Sequence, residues 1–473
     1  MVRALTRSLM LGDDMDHRDD LEGTPATPLT PPRRASVRGM PGASTRLDSY
    51  VDLYAQRTAG MTASEIRALF AVASRPEVVS LAGGMPNISG LPLDVVGSAI
   101  GDLIRDHGPV ALQYGSGQGD PVLRDQICDV MRLEGIEGHP DDVVVTVGSQ
   151  QAVDLVTRIF CDPGDVVICE APSYVGALGV FKSFQCEVVH AAMDADGLVP
   201  DALRAAIATT RAAGKTVKFL YTIPNFHNPA GVTLSTARRA EVLEICRDEG
   251  VLVLEDNPYG LLGFDSAPMR ALRADEPEGV IYLGSFSKTF SPGMRVGWAL
   301  APHAVREKLV LAQESATLCP PAFSQMAVSA YLTQHDWLGQ IKQMREMYRD
   351  RRDAMMEALD DFMPAACTWN RPHGGFFVWV GLPPGIDAKA MLPRAVTARV
   401  AYVPGTAFFA DGFGAGSMRL SFCYPTPERI REGVRRLAGV LETEMELREM
   451  FGATSPAELG PRSGYDGPGS DLS

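Results

Sequence analysis

One lysine has neighbours that suit an amine acting as a nucleophile. Lys288 lies in the segment Ser285 to Thr289, directly after the apolar run Val280 to Leu283. Most lysines are solvated surface residues, so the residue type alone predicts no chemistry. An amine that forms a Schiff base must lose its proton readily, which partial desolvation and a nearby cation such as Arg295 favour. We therefore expect Lys288 to bind a carbonyl compound.

Two further polar residues follow apolar runs of the chain. Asp256 comes after the run Val251 to Leu254, where a carboxylate needs a cationic partner such as a protonated ring nitrogen. Asn228 follows the run Lys218 to Thr222 and begins an Asn-Pro-Ala-Gly sequence. Each residue also has an ordinary explanation, since Asp caps turns and Asn-Pro-x-Gly is a turn signature. Ligands bind at the carboxyl ends of strands in open α/β sheets, so we expect both residues to contact one ligand.

A third group of residues suits an anion and a flat ring. Ser149 and Gln150 join the run Val143 to Val147 to a helix, and the N–H groups of a helix start favour a phosphate. The hydroxyl and guanidinium groups that complete such a site are those of Ser285, Ser287 and Arg295. Tyr174 follows another apolar run and could stack on a ring, although a plain core position is the alternative.

The runs that carry these residues predict an α/β fold. Short apolar runs at Val143–Val147, Val166–Cys169, Lys218–Thr222, Val251–Leu254 and Val280–Leu283 alternate with helix-like stretches such as Leu234–Glu249. Strands that are apolar throughout indicate a mostly parallel sheet sandwiched by helices. After Pro302 the pattern changes to a long helical stretch, Ala322–Leu359, then short strands and a final helix, Pro427–Glu449. We expect a smaller α+β domain there.

These patterns divide the chain into five parts. Residues 1–45 and 451–473 are rich in proline and polar residues, which predicts a disordered arm and a disordered tail. Residues 46–95 form an N-terminal segment that contributes to the small domain, residues 96–310 the large domain, and residues 311–450 the small C-terminal domain.

Composition excludes several classes of protein. The 473 residues carry a net charge of −14, which disfavours binding to nucleic acid. The longest apolar runs are far shorter than the ~20 residues that span a bilayer, so we expect no membrane segment. Eight cysteines between Cys128 and Cys423 include no CxxC pair and no metal-like cluster with histidine. Neither this pattern nor the N-terminus suggests secretion, which predicts a cytoplasmic protein.

Together these residues resemble a known family. From about Ser64 to Leu441 the chain resembles fold-type-I aminotransferases of class I/II, which depend on pyridoxal 5′-phosphate (PLP), and most closely the branch of 2-aminoadipate aminotransferases and MocR effector domains. The resemblance implies that Lys288 carries PLP as a Schiff base, that Asp256 pairs with its ring nitrogen, and that Asn228 and Tyr259 contact its ring oxygen. It also implies that Tyr174 stacks on the ring and that the phosphate is held by Ser149, Gln150, Ser285, Ser287 and Arg295.

The resemblance also implies partners and substrates. Tyr114 matches a tyrosine that reaches the phosphate of the neighbouring subunit, which implies a homodimer. Arg419 matches the arginine that binds the substrate α-carboxylate, and Gly84 a glycine at which the backbone approaches the substrate. Arg67 falls where aminoadipate-type members bind a distal carboxylate, although an arginine near a helix start is usually just solvated.

The expected activity is a ping-pong transfer of an amino group between an L-amino acid and a 2-oxo acid. Aminoadipate, glutamate, aromatic and branched-chain amino acids all remain candidate substrates, and Arg67 favours a dicarboxylic one. A β-lyase or decarboxylase on the same fold is the nearest alternative. A transcription regulator is another, but residues 1–60 are too short and proline-rich for a winged helix-turn-helix. A silent binding protein is the third.

Overall fold

The computed structural model describes residue 48, residues 50–61 and residues 75–451, with the side chain of residue 451 left out. The chain divides into two units, residues 1–54 and residues 55–473. The described part of the first unit contains one short 3₁₀ helix, Val51–Leu53. The predicted arm at 1–45, the predicted tail beyond residue 451 and Arg67 lie outside the described residues.

An eight-stranded sheet forms the centre of the second unit. Its strands follow the order β2, β9, β8, β7, β6, β3, β4, β5. They are β2 (Val143–Thr146), β3 (Val166–Ala171), β4 (Glu187–Asp194), β5 (Gly197–Leu198), β6 (Val217–Thr222), β7 (Leu252–Asp256), β8 (Val280–Ser285) and β9 (Gly297–Leu300). Strands β2, β3, β7, β8 and β9 are buried along nearly their whole length, because helices cover both faces. The five apolar runs therefore form strands, as predicted.

The pairing directions bring five strand ends to one edge. Strands β4, β3, β6, β7 and β8 pair in parallel in that spatial order. Strand β9 runs antiparallel to β8, and β2 runs antiparallel to β9, so β2 points the same way as β8. The carboxyl ends of β2, β3, β6, β7 and β8 consequently lie at the same edge, where ligands bind in such sheets.

Twelve α-helices occur in the described residues. They are α1 (Leu93–Ala111), α2 (Pro121–Arg132), α3 (Ser149–Phe160), α4 (Val175–Ser183), α5 (Pro200–Ala212), α6 (Thr236–Asp248), α7 (Leu272–Asp275), α8 (His303–Thr317), α9 (Ala322–Gln334), α10 (Trp337–Phe362), α11 (Ala388–Thr397) and α12 (Pro427–Phe451). The predicted continuous helix Ala322–Leu359 is wrong in one respect, because it is two helices, α9 and α10. Asp336 separates them, and its carboxylate accepts the Gly339 N–H at the start of α10.

A smaller sheet follows in the C-terminal part of the chain. Its four strands pair antiparallel in the order β10, β11, β14, β13, and they are β10 (Thr368–Trp369), β11 (Phe377–Gly381), β13 (Val403–Pro404) and β14 (Ser417–Ser421). A separate parallel pair joins β1 (Val79–Ser80) to β12 (Val400–Ala401). The N-terminal residues near Val79 therefore pack beside the C-terminal strands rather than on the large sheet.

Within the described residues, no helix combines the length and the apolar composition that crossing a membrane requires.

Candidate active site

One cavity of about 370 Å³ lies at the edge where the five strands end. Of the predicted site residues that the structure describes, all except Tyr114 line it. Those residues are Gly84, Ser149, Gln150, Tyr174, Asn228, Asp256, Tyr259, Ser285, Ser287, Lys288, Arg295 and Arg419. The fold therefore brings together predicted residues that are up to 335 positions apart in the sequence, from Gly84 to Arg419.

Lys288 reaches this cavity from the turn that follows β8. Its Nζ donates a hydrogen bond to the carbonyl oxygen of Gly84 at 2.8 Å. Burial above all, together with the charges of Arg419 and Arg295, lowers the pKa of Lys288 to about 8, although Cys423 and Asp256 oppose the shift. The amine consequently loses its proton at a much lower pH than an ordinary lysine, as a nucleophile or a base requires.

Asp256 ends β7 and is buried, with one carboxylate oxygen paired and the other free. Its Oδ2 accepts a hydrogen bond from the Tyr221 hydroxyl at 2.8 Å. Its Oδ1 has no hydrogen-bond partner among the described residues. Burial raises the pKa of Asp256 to about 6, against the lowering effects of Tyr221 and Lys288. The free oxygen faces an environment that favours a cationic ligand.

Arg419 lies on β14, and with Phe377 of β11 it is a residue of the small sheet that lines the cavity. Its Nη1 donates to Asn228 Oδ1 at 2.8 Å and its Nη2 donates to the Ala82 carbonyl oxygen at 2.7 Å. The guanidinium lies 4.1 Å from the ring centroid of Phe377. Burial lowers its pKa to about 10. The paired carboxylate that a buried arginine normally has is absent among the described residues, so this cation can accept an anionic ligand.

Another part of the cavity lining carries hydroxyl, amide and guanidinium groups. Helix α3 begins at Ser149 after Gly148, whose φ of +73° favours glycine. The Arg295 Nη2 donates to the Val147 carbonyl oxygen at 3.1 Å, and a Cβ on Gly148 would overlap that guanidinium. The Ser285 and Ser287 hydroxyls are 2.9 Å apart. Helix starts, hydroxyls and guanidinium groups all favour an anion, and we call this part of the lining the anion site.

Two tyrosines, Tyr174 and Tyr259, also line the cavity. The Tyr174 hydroxyl donates to Gln150 Oε1 at 3.2 Å, and Gln150 Nε2 donates to the Gly176 carbonyl oxygen at 2.9 Å. Gln150 thus holds Tyr174 through its side chain rather than pointing free into the cavity. Tyr259 is buried against Phe376 and Phe377, and burial raises the pKa of its hydroxyl. The Tyr259 hydroxyl therefore stays protonated and can donate.

Tyr114 lies elsewhere and is 77% exposed. Sequence reasoning missed several lining residues, Met85, Val175, Gly176, Ile223, Pro258, Pro292 and Phe377, and also Tyr221, the partner of Asp256. The pair Gly374 and Gly375, just before β11, is a sequence signal that backbone approaches closely near Phe377. The sequence contains no comparable signal that Tyr221 points toward Asp256.

Comparisons with known proteins agree with this geometry. The family model described as aminotransferase class I and II matches residues 77–437. Aromatic-amino-acid aminotransferase 1 of Thermococcus litoralis is 42% identical, over 84% of this chain and 96% of its own. The 2-aminoadipate transaminase of Thermus thermophilus is 37% identical, over 84% of this chain and 99% of its own. A solved structure of Pyrococcus horikoshii kynurenine aminotransferase, in complex with PMP, superposes with a TM-score of 0.80 at 37% identity, covering 84% of this chain and 98% of that one.

The chain belongs to the aminotransferase class I and II family. It is a PLP-dependent transaminase of fold type I that transfers amino groups between amino acids and 2-oxo acids. The family, fold class, cofactor and reaction type predicted from the sequence are therefore confirmed.

Tyr221→Phe tests the pairing of Asp256. Removing the one hydroxyl bonded to Asp256 leaves the carboxylate less stabilised in its charged form, at a cost of about 1.5–3 kcal/mol for a hydrogen bond to a charged group. We expect the Kd for PLP, measured by titrating apoprotein and following visible absorption, to rise roughly tenfold or more. Tyr331→Phe, which removes a buried hydroxyl bonded to Gln340, is the matched control and leaves this Kd unchanged. An unchanged Kd in Tyr221→Phe would contradict the role given to its hydroxyl.

Proposed function

We propose that Lys288 carries PLP covalently and that the cavity around it holds the rest of the cofactor. The observation that carries this proposal is the free Oδ1 of buried Asp256 in the same cavity as a lysine whose pKa is lowered to about 8. A protonated ring nitrogen is the partner that such a carboxylate needs.

The remaining polar residues fit the other groups of PLP. Asn228 and Tyr259 line the same cavity with an amide and a hydroxyl that would donate to the ring oxygen, and Tyr174 supplies an aromatic ring that would stack on the cofactor. The anion site fits the phosphate through the residues Ser149, Gln150, Ser285, Ser287 and Arg295. Each group of the cofactor then has a partner of opposite charge or complementary hydrogen bonding.

Bound PLP draws electrons from the substrate Cα and so makes the proton there acidic. Arg419 binds the substrate α-carboxylate through its bidentate guanidinium and so fixes which Cα bond faces the reacting atoms. Lys288 Nζ, released from the cofactor when the substrate amino group takes its place, would accept the proton from Cα, since its lowered pKa suits a general base that must also release the proton again. Burial of both side chains excludes water from the proton that is transferred.

Lys288→Ala tests both the carrier and the reaction. We expect the visible absorption of the purified protein to disappear and the transaminase rate to fall by at least roughly 100-fold, because the covalent carrier and the base are both lost. The assay follows 2-oxo acid formed from an amino acid with and without a second oxo acid. Lys308→Ala, which changes an exposed lysine, is the control.

Retention of the absorption and the rate in Lys288→Ala would contradict the proposal. Product formation that needs no oxo acid acceptor would instead support a lyase or decarboxylase.

For the amino donor we propose an L-amino acid with a long or aromatic side chain. In addition to Arg419, the cavity lining includes the apolar side chains of Met85, Val175, Ile223 and Phe377. These surfaces suit hydrophobic contact with a substrate side chain. The relatives named for aromatic amino acids and for 2-aminoadipate support the same range. Arg67 stays a prediction for binding a distal carboxylate.

Arg67→Ala separates the candidate substrates. If Arg67 binds a distal carboxylate, its loss removes a charge-assisted contact and lowers kcat/KM for aminoadipate and glutamate roughly 10- to 100-fold. The values for leucine and phenylalanine stay within about threefold of wild type, because neither side chain carries a charge. Equal losses on all four amino acids would refute the role.

We further propose a homodimer in which Tyr114 reaches the phosphate site of the partner. The exposed side chains of Val110, Leu112, Tyr114 and Leu318 support this, because a monomer rarely leaves such large apolar side chains in water together. A cytoplasmic location is supported by the eight cysteines, all of which are free thiols.

Subunit complementation tests the sharing of Tyr114. Tyr114→Ala and Lys288→Ala each make a defective homodimer. In a mixed dimer, the chain with Lys288 receives Tyr114 from the other chain, so random mixing restores about a quarter of all sites. Tight PLP binding and activity of the mixture are the measurements. A mixture no better than its two components would contradict the shared site.

A further inference from the structure

A line of buried polar side chains lies behind the cavity, outside the residues that line it, and none of the roles above involves it. We call it the polar chain. It consists, in order, of Arg239, Asn225, Asn257, Glu134 and Tyr282. All five residues are buried. Buried polar groups are costly unless they are paired, so a fully paired line of this length needs an explanation.

Each link of the polar chain is a direct hydrogen bond. Arg239 Nη2 donates to Asn225 Oδ1 at 2.6 Å, and Asn225 Nδ2 donates to Asn257 Oδ1 at 3.0 Å. Asn257 Nδ2 then donates to Glu134 Oε1 at 2.7 Å. The Tyr282 hydroxyl donates to the other oxygen, Glu134 Oε2, at 2.6 Å.

The two ends determine the direction of every bond between them. A guanidinium only donates, so Asn225 must present its oxygen to Arg239 and its amide nitrogen to Asn257. Burial raises the pKa of Glu134 to about 7, so above that pH its carboxylate is ionised and only accepts, and Asn257 must present its nitrogen to it. The other nitrogens of Arg239 donate to the Leu234 and Arg270 carbonyl oxygens, which holds the guanidinium in place. If the side-chain amide of Asn225 or Asn257 rotated by 180°, two hydrogen-bond donors or two acceptors would face each other.

The polar chain joins the three strand ends that carry the proposed cofactor contacts. Asn225 lies three positions before Asn228, in the turn after β6. Asn257 follows Asp256 at the end of β7, and its N–H donates to the Leu283 carbonyl oxygen of β8 at 3.0 Å. A Cβ on Gly260 would overlap the Glu134 carboxylate, so that carboxylate also lies against the backbone next to Tyr259.

We infer that the polar chain positions the turns after β6 and β7 for the reaction, with Glu134 as the positioning residue at its accepting end. This inference rests on the proposed function, because it assumes that Asn228, Asp256 and Tyr259 contact PLP. Glu134 itself does not line the cavity and touches no reacting atom.

The direction of the hydrogen bonds allows a test by reversal. In Asn225→Asp, the new carboxylate still accepts from Arg239 but meets the oxygen of Asn257. If Asn257 turns over to donate to it, the Asn257 oxygen then meets Glu134. At about pH 8.5, above the pKa of Glu134, one repulsive contact remains in either case, at a cost of about 1–3 kcal/mol for an unpaired buried group, so the variants are compared at that pH.

Adding Glu134→Gln to Asn225→Asp removes the repulsive contact between Asn257 and residue 134. In the double variant, the Gln amide nitrogen donates to the turned Asn257 and its oxygen accepts from Tyr282, so every group is paired again. Glu134→Gln alone is less completely paired, because its oxygen accepts from Asn257 and its nitrogen donates to the Tyr282 hydroxyl, whose own hydrogen then loses its acceptor. We therefore expect PLP binding and turnover to be impaired in the single variant Asn225→Asp and restored in the double variant.

The experiment measures the Kd for PLP by visible absorption, and kcat and KM separately, for wild type, both single variants and the double variant. We expect Asn225→Asp to raise the Kd and lower kcat by roughly tenfold or more, with KM changed less, because displaced cofactor contacts act on the reacting atoms. The double variant stays within about threefold of wild type, and Glu134→Gln is affected less than Asn225→Asp. Tyr402→Phe, which removes a buried hydroxyl bonded to the Ala388 carbonyl oxygen, lowers the melting temperature without changing the Kd.

A wild-type Kd and kcat in Asn225→Asp would overturn the inference, and so would a double variant as defective as Asn225→Asp. If Asn225→Asp fails to fold, a double variant that folds and binds PLP supports the reversal, whereas one that also fails to fold contradicts it. Failure of the proposed function is distinguishable, because wild-type protein would then lack the visible absorption and the acceptor-dependent activity.

Discussion

Three ionisable side chains, Lys288, Asp256 and Arg419, lie around one cavity in which burial disfavours their charged forms. Burial lowers the pKa of Lys288 to about 8 and that of Arg419 to about 10, and it raises the pKa of Asp256 to about 6. Each group therefore gains when a ligand supplies an opposite charge. At neutral pH the carboxylate is ionised and the lysine is close to its titration range, which suits a site that binds a cationic ring and moves a proton.

The arrangement depends on the large sheet, because it brings residues distant in sequence to one edge. Apolar runs predicted the buried strands, and the residues that follow them predicted nine of the nineteen residues that line the cavity, with three more implied by the family resemblance. Strand β9 reverses direction beside β8 and β2 reverses again, which returns the end of β2 to the edge that carries Lys288. Turns such as Asn228 to Gly231 could be predicted from the sequence because consecutive residues determine them.

What the sequence could not predict are the contacts between distant side chains. Tyr221 reaches Asp256 across neighbouring strands, and Glu134 reaches Asn257 from a loop 123 positions earlier. Neither pairing leaves a local pattern, since each depends on strand order. The break between α9 and α10 was missed because residues on both sides have helical periodicity, and only the capping role of Asp336 separates them.

The most direct measurement of the central claim is chemical trapping of the cofactor on its lysine. Reduction of the purified protein with borohydride converts the lysine-bound cofactor into a stable phosphopyridoxyl group, which peptide mapping by mass spectrometry then locates. The account predicts this group on the peptide that contains Lys288, with the other lysines unmodified. A phosphopyridoxyl group on a different lysine, or none on protein that has the visible absorption, would contradict it.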